Sequence, residues 1–307
     1  MPILHNYTFM KIALPFLFLF LISDVASAQL ISWRDLVEGD LPQPDERFHY
    51  GTWEHAFGEL WLPDEEAHTA VILFHGGCWM DIYPGVEIMN HMAAALRDEG
   101  FVVWNVEYTR LGQESGGYPG TFRSAIFGAD SFNRVAANHN IRTDRVIVAG
   151  HSAGGHLATW LAARHNLPEE SALNLDIYGE LQQKIEIHGV ISLAGINDLE
   201  RYNNYGATLC GQNTIERLID YENRGSEAYS DTSPAELLPL GVPFVEVSAV
   251  FDAPVPPFFG YHFANKARDA GDDVTHIVQQ DAGHFEMIAP WSDQWTEILN
   301  LFLNLLD

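Results

Sequence analysis

The chain has 307 residues, 47% of them apolar, and its 42 acidic side chains against 16 lysines and arginines give a formal net charge of −26. That length and apolar share suffice for one large α/β domain. The charge argues against nucleic acid and anionic membrane surfaces as partners, since both need basic patches; it fits a self-repelling protein with a neutral or cationic substrate, and self-repulsion alone would account for it.

Lys11 precedes the apolar run Ile12 to Ile22, and Ala26-Ser27-Ala28 has the small-x-small form of a cleavage site. Residues 1–28 therefore read as a signal peptide, leaving Gln29 as the first residue of an exported chain, periplasmic or secreted. Met10-Lys11 would itself make a normal signal start. The run is too short to span a bilayer, and no later stretch is long and apolar enough to do so. Residues 29–307 carry no linker, repeat or low-complexity segment and read as one domain.

After the lead Leu41-Pro-Gln-Pro44, Phe48 to Leu62 predicts two antiparallel strands broken at Gly51 and Gly58. Ala70 to Phe74 is a buried strand, followed by a helix from Gly85 to Glu99 that ends at Gly100. Phe101 to Val106 is the next strand. A glycine-rich loop then runs through Gly120, with a helix to His139. Val146 to Ala149 and the helix beyond it, marked by Leu157, Trp160 and Leu161, flank Gly150-His151-Ser152-Ala153-Gly154. Strands follow at Ile187–Leu193, Val242–Val250 and Val274–Val278, with helices over Phe259–Ala270 and Trp291–Leu305. Alternation of this kind predicts a mostly parallel central sheet flanked by helices, with chemistry at the carboxyl ends of its strands.

Three such ends carry reactive groups. Gly150 to Gly154 fits G-x-S-x-G between a strand and a helix, the setting in which a sharp turn presents a serine nucleophile, here Ser152. The helix start beneath it favours negative charge developing above. Ser115 lacks the glycine two residues earlier and reads as loop. His75-Gly76-Gly77-Cys78-Trp79 offers backbone N–H groups free of side-chain obstruction; Gly77 and Cys78, with Ala153, are the candidate donors to an oxyanion. Asp252 follows the strand at Val242, and His284 the strand at Val274. In this order Ser152 is the nucleophile, His284 the proton carrier and Asp252 the residue that fixes the imidazole. Asp198 also follows a strand and is the rival acid, better suited to ordering a loop; His151 and His156 read as packing. Trp79 and Phe285 are expected to wall the substrate pocket. No H-E-x-x-H, paired C-x-x-C or phosphate-binding glycine loop occurs, so neither metal nor cofactor is implied.

Together these residues resemble the α/β-hydrolase fold, and within it the esterase/lipase-like enzymes near the kynurenine formamidases and the hormone-sensitive-lipase-type esterases. The resemblance runs from Tyr50 to the C-terminus and rests on His75-Gly-Gly-Cys-Trp79, Glu107-Tyr-Thr-Arg110, Gly117-Tyr-Pro-Gly120, Gly150-His-Ser-Ala-Gly-Gly-His156, Ser233-Pro-Ala235 and Gly283-His-Phe285. It implies the triad Ser152, Asp252 and His284, and oxyanion donors Gly77, Cys78 and Ala153. Cys78 replaces a glycine or aromatic of many relatives, Ser124 an aspartate, and Ala249-Val-Phe a small polar lead to the acid.

The reading is a carboxylesterase-type serine hydrolase, with an aryl-formamidase using the same site as one alternative and a silent hydrolase-fold binding protein as another. Asp198 to Ser233 is the one insertion at the catalytic edge, large enough for a small lid and too small for a broad apolar cap. A small-molecule ester or amide with a short acyl group is therefore expected. Cys78 and Cys210 are the sole cysteines; export favours a bridge between them, and two separate buried thiols is the equal alternative.

Overall fold

The computed structural model describes residues 30–67, 69–142, 144–175, 184–206 and 210–305. The expected signal peptide and the start at Gln29 lie outside them. One eight-stranded sheet runs in the order β1-β2-β4-β3-β5-β6-β7-β8. β1 (Glu46–His49) and β2 (Phe57–Trp61) join it antiparallel at one edge. β3 (Ala70–Phe74), β4 (Val102–Val106), β5 (Val146–His151), β6 (Gly189–Leu193), β7 (Phe244–Ala249) and β8 (Val274–Gln279) are parallel. Every residue of β3 to β7 is buried, as befits strands covered by helices on both faces.

Helices flank this sheet as the hydropathy pattern requires. They are α1 (Asn90–Asp98), α2 (Gly120–Asp130), α3 (Phe132–His139), α4 (Ala153–Ala163), α9 (Phe258–Ala270) and α10 (Trp295–Asn304). Four short helices cross the carboxyl edge between β6 and β7: α5 (Leu199–Gly206), α6 (Thr214–Ile219), α7 (Tyr221–Arg224) and α8 (Tyr229–Thr232). They form the small insertion expected there. All eleven residues of α4 are buried, which explains a helix apolar on every side.

Local departures from expectation have local causes. Gly58 lies inside β2 rather than breaking it, because a Cβ there would stand 2.2 Å from the Trp104 indole of β4. The helix expected to reach His139 is interrupted at Ser131, whose hydroxyl donates to the Gly128 carbonyl, 2.7 Å. The last helix starts at Trp295 because Ser292 turns the chain, its N–H bonded to Ala289 O and its hydroxyl to Glu286 O. Among the described residues no helix is long and apolar enough to cross a membrane.

Glu246 stands in the middle of β7, buried against Ser192 of β6 and Asn197, whose amide donates to Oε2 at 2.9 Å. Oε1 has no partner, and no ion pair reaches the carboxyl among the described residues. Burial pushes its pKa well above the usual carboxylate range, so the folded protein keeps a proton that the unfolded chain releases. Stability from this residue is therefore full in acid and declines as pH rises past the ordinary carboxylate value. Glu246→Gln should raise the thermal midpoint, with an advantage that widens as pH rises past the ordinary carboxylate value. Thermal unfolding at a series of pH values checks it; a difference independent of pH would refute it.

Candidate active site

Ser152 sits between β5 and α4 with φ 56° and ψ −118°, a conformation that a non-glycine residue holds only when its surroundings enforce it. The enforcement is steric. A Cβ at Gly150 would lie 2.2 Å from the Gly154 carbonyl oxygen, and one at Gly154 would lie 2.1 Å from that of Phe74. Two hydrogen bonds hold the turn, Ser152 N–H to Leu193 O at 2.8 Å and His156 N–H to Ser152 O at 3.1 Å. Ser152 Oγ makes no hydrogen bond within the described residues, and the residue is buried.

The loop after β3 turns tightly beside it. Gly77, Cys78 and Trp79 all have positive φ, 103°, 52° and 55°. The N–H groups of Gly77, Cys78 and Ala153 donate no hydrogen bond among the described residues, which leaves them available to an anion. A buried cluster holds the loop from behind. His75 Nε2 lies 3.2 Å from Glu107 Oε1, Arg110 Nε 3.1 Å from the same oxygen, and the Tyr108 hydroxyl donates to His75 O at 3.0 Å. Despite burial, His75 and Arg110 hold the Glu107 carboxyl below its usual range. Trp79 has no exposed surface; its indole N–H donates to His156 Nδ1 at 3.2 Å. It therefore packs beneath the site and does not wall an open pocket, contrary to expectation, because the turn points it into the core.

The loops after β7 and β8 meet at the same edge. His284 Nδ1 donates to Asp252 Oδ2 at 2.7 Å, while Asp252 Oδ1 accepts the Val255 N–H at 2.7 Å. Phe251 N–H to Ala282 O, 2.9 Å, ties the two loops together. Glu286 anchors the histidine loop, accepting the N–H groups of Gly283 and Ile31 at 2.8 and 2.7 Å. Phe285 is partly exposed, edge-on to the His284 ring at 4.9 Å. Asp198 points elsewhere: it accepts the Arg201 N–H at 3.0 Å and so caps the start of α5. Such a set can perform acyl transfer, with a hydroxyl, an imidazole held in one tautomer by a carboxylate, and free backbone donors at one edge of the sheet. Among the described residues no His, Cys, Asp and Glu group could hold a metal ion.

Comparison with known proteins follows the same geometry. A family model, BD-FAE, matches residues 59–257, more than half the chain. The chain belongs to the BD-FAE family. It is a hydrolase of the esterase type with the α/β-hydrolase fold. The BD-FAE match takes in the strands and turns that carry Gly77, Ser152 and Asp252 and ends before His284. Solved structures share the fold. A truncated carbohydrate esterase from gut microbiota is 17% identical with TM-score 0.70, over 87% of this chain and 99% of that one. Esterase B from Lactobacillus rhamnosis is 17% identical with TM-score 0.68, over 87% and 86%. A propionate-bound thermophilic esterase from the Planctomycetes species Thermogutta terrifontis is 19% identical with TM-score 0.66, over 85% and 93%. No curated protein matches the sequence.

In this BD-FAE chain the insertion between β6 and β7 is fastened to the site from below and above. Below, His156 and Trp160 of α4 donate to the carbonyls of Thr232 and Asp231, each at 2.8 Å. Burial pushes the His156 pKa down to about 4, so the ring is neutral at physiological pH and its two nitrogens serve as one donor and one acceptor. The Asp231 carboxylate gathers Arg224, Ser171 and Tyr118, at 2.6, 2.6 and 3.2 Å. Above, a Cys78–Cys210 disulfide joins the glycine loop to the insertion, across 132 residues of sequence. Of the two arrangements open to the cysteines, the structure holds the bridge. The unreduced, denatured protein should therefore show no titratable thiol, and reduction should lower stability by up to about 4–5 kcal/mol. Thiol titration and denaturant unfolding with and without reductant check this; two thiols before reduction would contradict it.

Proposed function

We propose that this protein is an exported serine esterase that cleaves small, dissolved, uncharged carboxylic esters through an acyl-enzyme. The observation that carries the reading is the 2.7 Å hydrogen bond from His284 Nδ1 to Asp252 at the strand edge where the strained turn presents Ser152. In this mechanism His284 Nε2 takes the Ser152 proton as Oγ attacks the ester carbonyl, and Asp252 stabilises the imidazolium. The N–H groups of Gly77, Cys78 and Ala153 hold the oxyanion of the tetrahedral intermediate. Collapse of that intermediate breaks the bond to the alcohol, which leaves with the proton from His284. Water, deprotonated by His284, then attacks the acyl-serine and releases the acid and the free serine. Export rests on the signal-like pattern of residues 1–28.

Support for a short acyl group comes from several directions. The described part of the insertion is a set of short helices, four to eight residues long, pinned by Cys210 and Asp231. Phe285, partly exposed, packs edge-on against the His284 ring, an apolar neighbour suited to a small acyl group. The charge of −26 disfavours fatty-acid anions and anionic lipid. Among proteins of the same fold, the Thermogutta terrifontis esterase has been solved with propionate, and esterase B with a C4-C4 tributyrin phosphonate.

Ser152→Ala should abolish fluorophosphonate labelling and lower kcat by about four to six orders of magnitude. Asp252→Asn should lower it by about three to four orders through the wrong tautomer, and Asp198→Asn by far less. Near-normal turnover in the Asp252 variant would remove it from the mechanism. Acetyl and butyryl esters should be turned over at least about tenfold faster than long-chain esters, about 1.4 kcal/mol in transition-state binding. A hydrolysis panel of graded chain length reads this directly; a long-chain preference, or faster turnover of N-formylkynurenine than of any simple ester, would overturn the substrate assignment.

A further inference from the structure

We propose that His151 is a positioning residue of this site, whose Nε2–H fixes the His284 loop relative to Ser152 and the glycine loop. The proposal rests on the serine-esterase reading above. His151 is the last residue of β5, immediately before Ser152, and is 1% exposed. Its Nε2 lies 2.8 Å from the backbone carbonyl oxygen of His284. A carbonyl only accepts, so Nε2 carries the hydrogen. That bond is the one donor to the His284 carbonyl among the described residues.

The rest of the ring touches the other two parts of the site. Its centroid is 4.4 Å from the His284 ring and 5.4 Å from Phe285. The glycine loop passes directly against it: a Cβ at Gly76 would lie 2.8 Å from His151 Nδ1 and 3.3 Å from Ser152 Cβ. One side chain thus adjoins the nucleophile, the proton carrier and the backbone that leads to the oxyanion donors.

What the imidazole contributes here is specific. Burial, then the neighbouring His284, holds its pKa well below the usual histidine value, so the ring is neutral. Nδ1 is then a lone pair, and it is buried with no hydrogen-bond partner. A phenyl ring would fill the same space and leave no nitrogen orphaned, so packing alone favours an apolar residue. The feature that a phenyl ring cannot supply is the N–H aimed at the His284 carbonyl. Small displacements of a general base lower turnover while leaving substrate binding nearly intact, and this sets the expected signature.

The test compares His151→Phe, which keeps the ring shape, with His151→Gln, whose amide N–H reaches the same place. In the full chain, His151→Phe should lower kcat on a butyryl ester by about tenfold or more while KM stays within about twofold. Fluorophosphonate labelling of Ser152 should slow in step, and the low-field proton resonance of the His284–Asp252 hydrogen bond should broaden. His151→Gln should recover kcat to within about threefold of the parent and restore that resonance. Wild-type kcat in the Phe variant, or equal loss in Phe and Gln, overturns the positioning role while the esterase reading stands. If the parent protein neither labels nor hydrolyses the ester, the esterase reading fails and takes this proposal with it.

Discussion

Gly154, at the start of α4, lies so near the end of β3 that a methyl group there would meet the Phe74 carbonyl at 2.1 Å. This close approach of helix to sheet, with its counterpart at Gly150, is what the remaining geometry hangs from. It forces the chain between β5 and α4 through the positive φ at Ser152 and draws a wholly buried helix onto the sheet. Strain of this kind persists only where packing over-determines the backbone. Here the packing is dense, because β3, β5 and β6 all lie under α4 and are buried along their whole length.

From that junction the site is assembled by short polar contacts rather than by long side chains. Carbonyls of the insertion accept from His156 and Trp160 of α4, the glycine loop is held by Glu107 through His75, and Glu286 holds the loop of His284. Each contact uses a buried polar group whose partner is fixed by secondary structure, so one arrangement is much preferred over its alternatives. The Cys78–Cys210 bridge then ties the glycine loop to the insertion covalently, so the two belong to one unit.

The surface and the interior follow opposite electrostatic rules. The chain carries −26 overall, yet its buried ions are matched: Arg164 grips Asp130 through both guanidinium Nη atoms, and Arg224 meets Asp231. Glu246, His151 and His156 have no counter-ion among the described residues, and burial favours their neutral forms. The protonation states near Ser152 are therefore set locally, by burial and neighbouring groups.

Apolar runs and glycine spacing determined the strand order in sequence, the α/β class and the position of the elbow, because the periods of strand and helix and the steric freedom of glycine are local properties. The placing of Ser152, Asp252 and His284 after the ends of β5, β7 and β8 was legible for the same reason: in a parallel sheet, strand ends mark one edge. Contacts between distant segments were not legible. Trp79 reads as a pocket wall from its place beside the glycines, but three consecutive positive φ values turn it into the core. His151 reads as packing because a residue next to Ser152 in the chain points its side chain away from it; the carbonyl it meets is 133 residues away. The same holds for the choice between a bridge and two thiols, and for the ion partners of Asp198 and Glu107. Spacing along a chain encodes which edge of the sheet a residue reaches, whereas the partner it finds there depends on how separate loops close over one another, and that is decided only when the whole core packs.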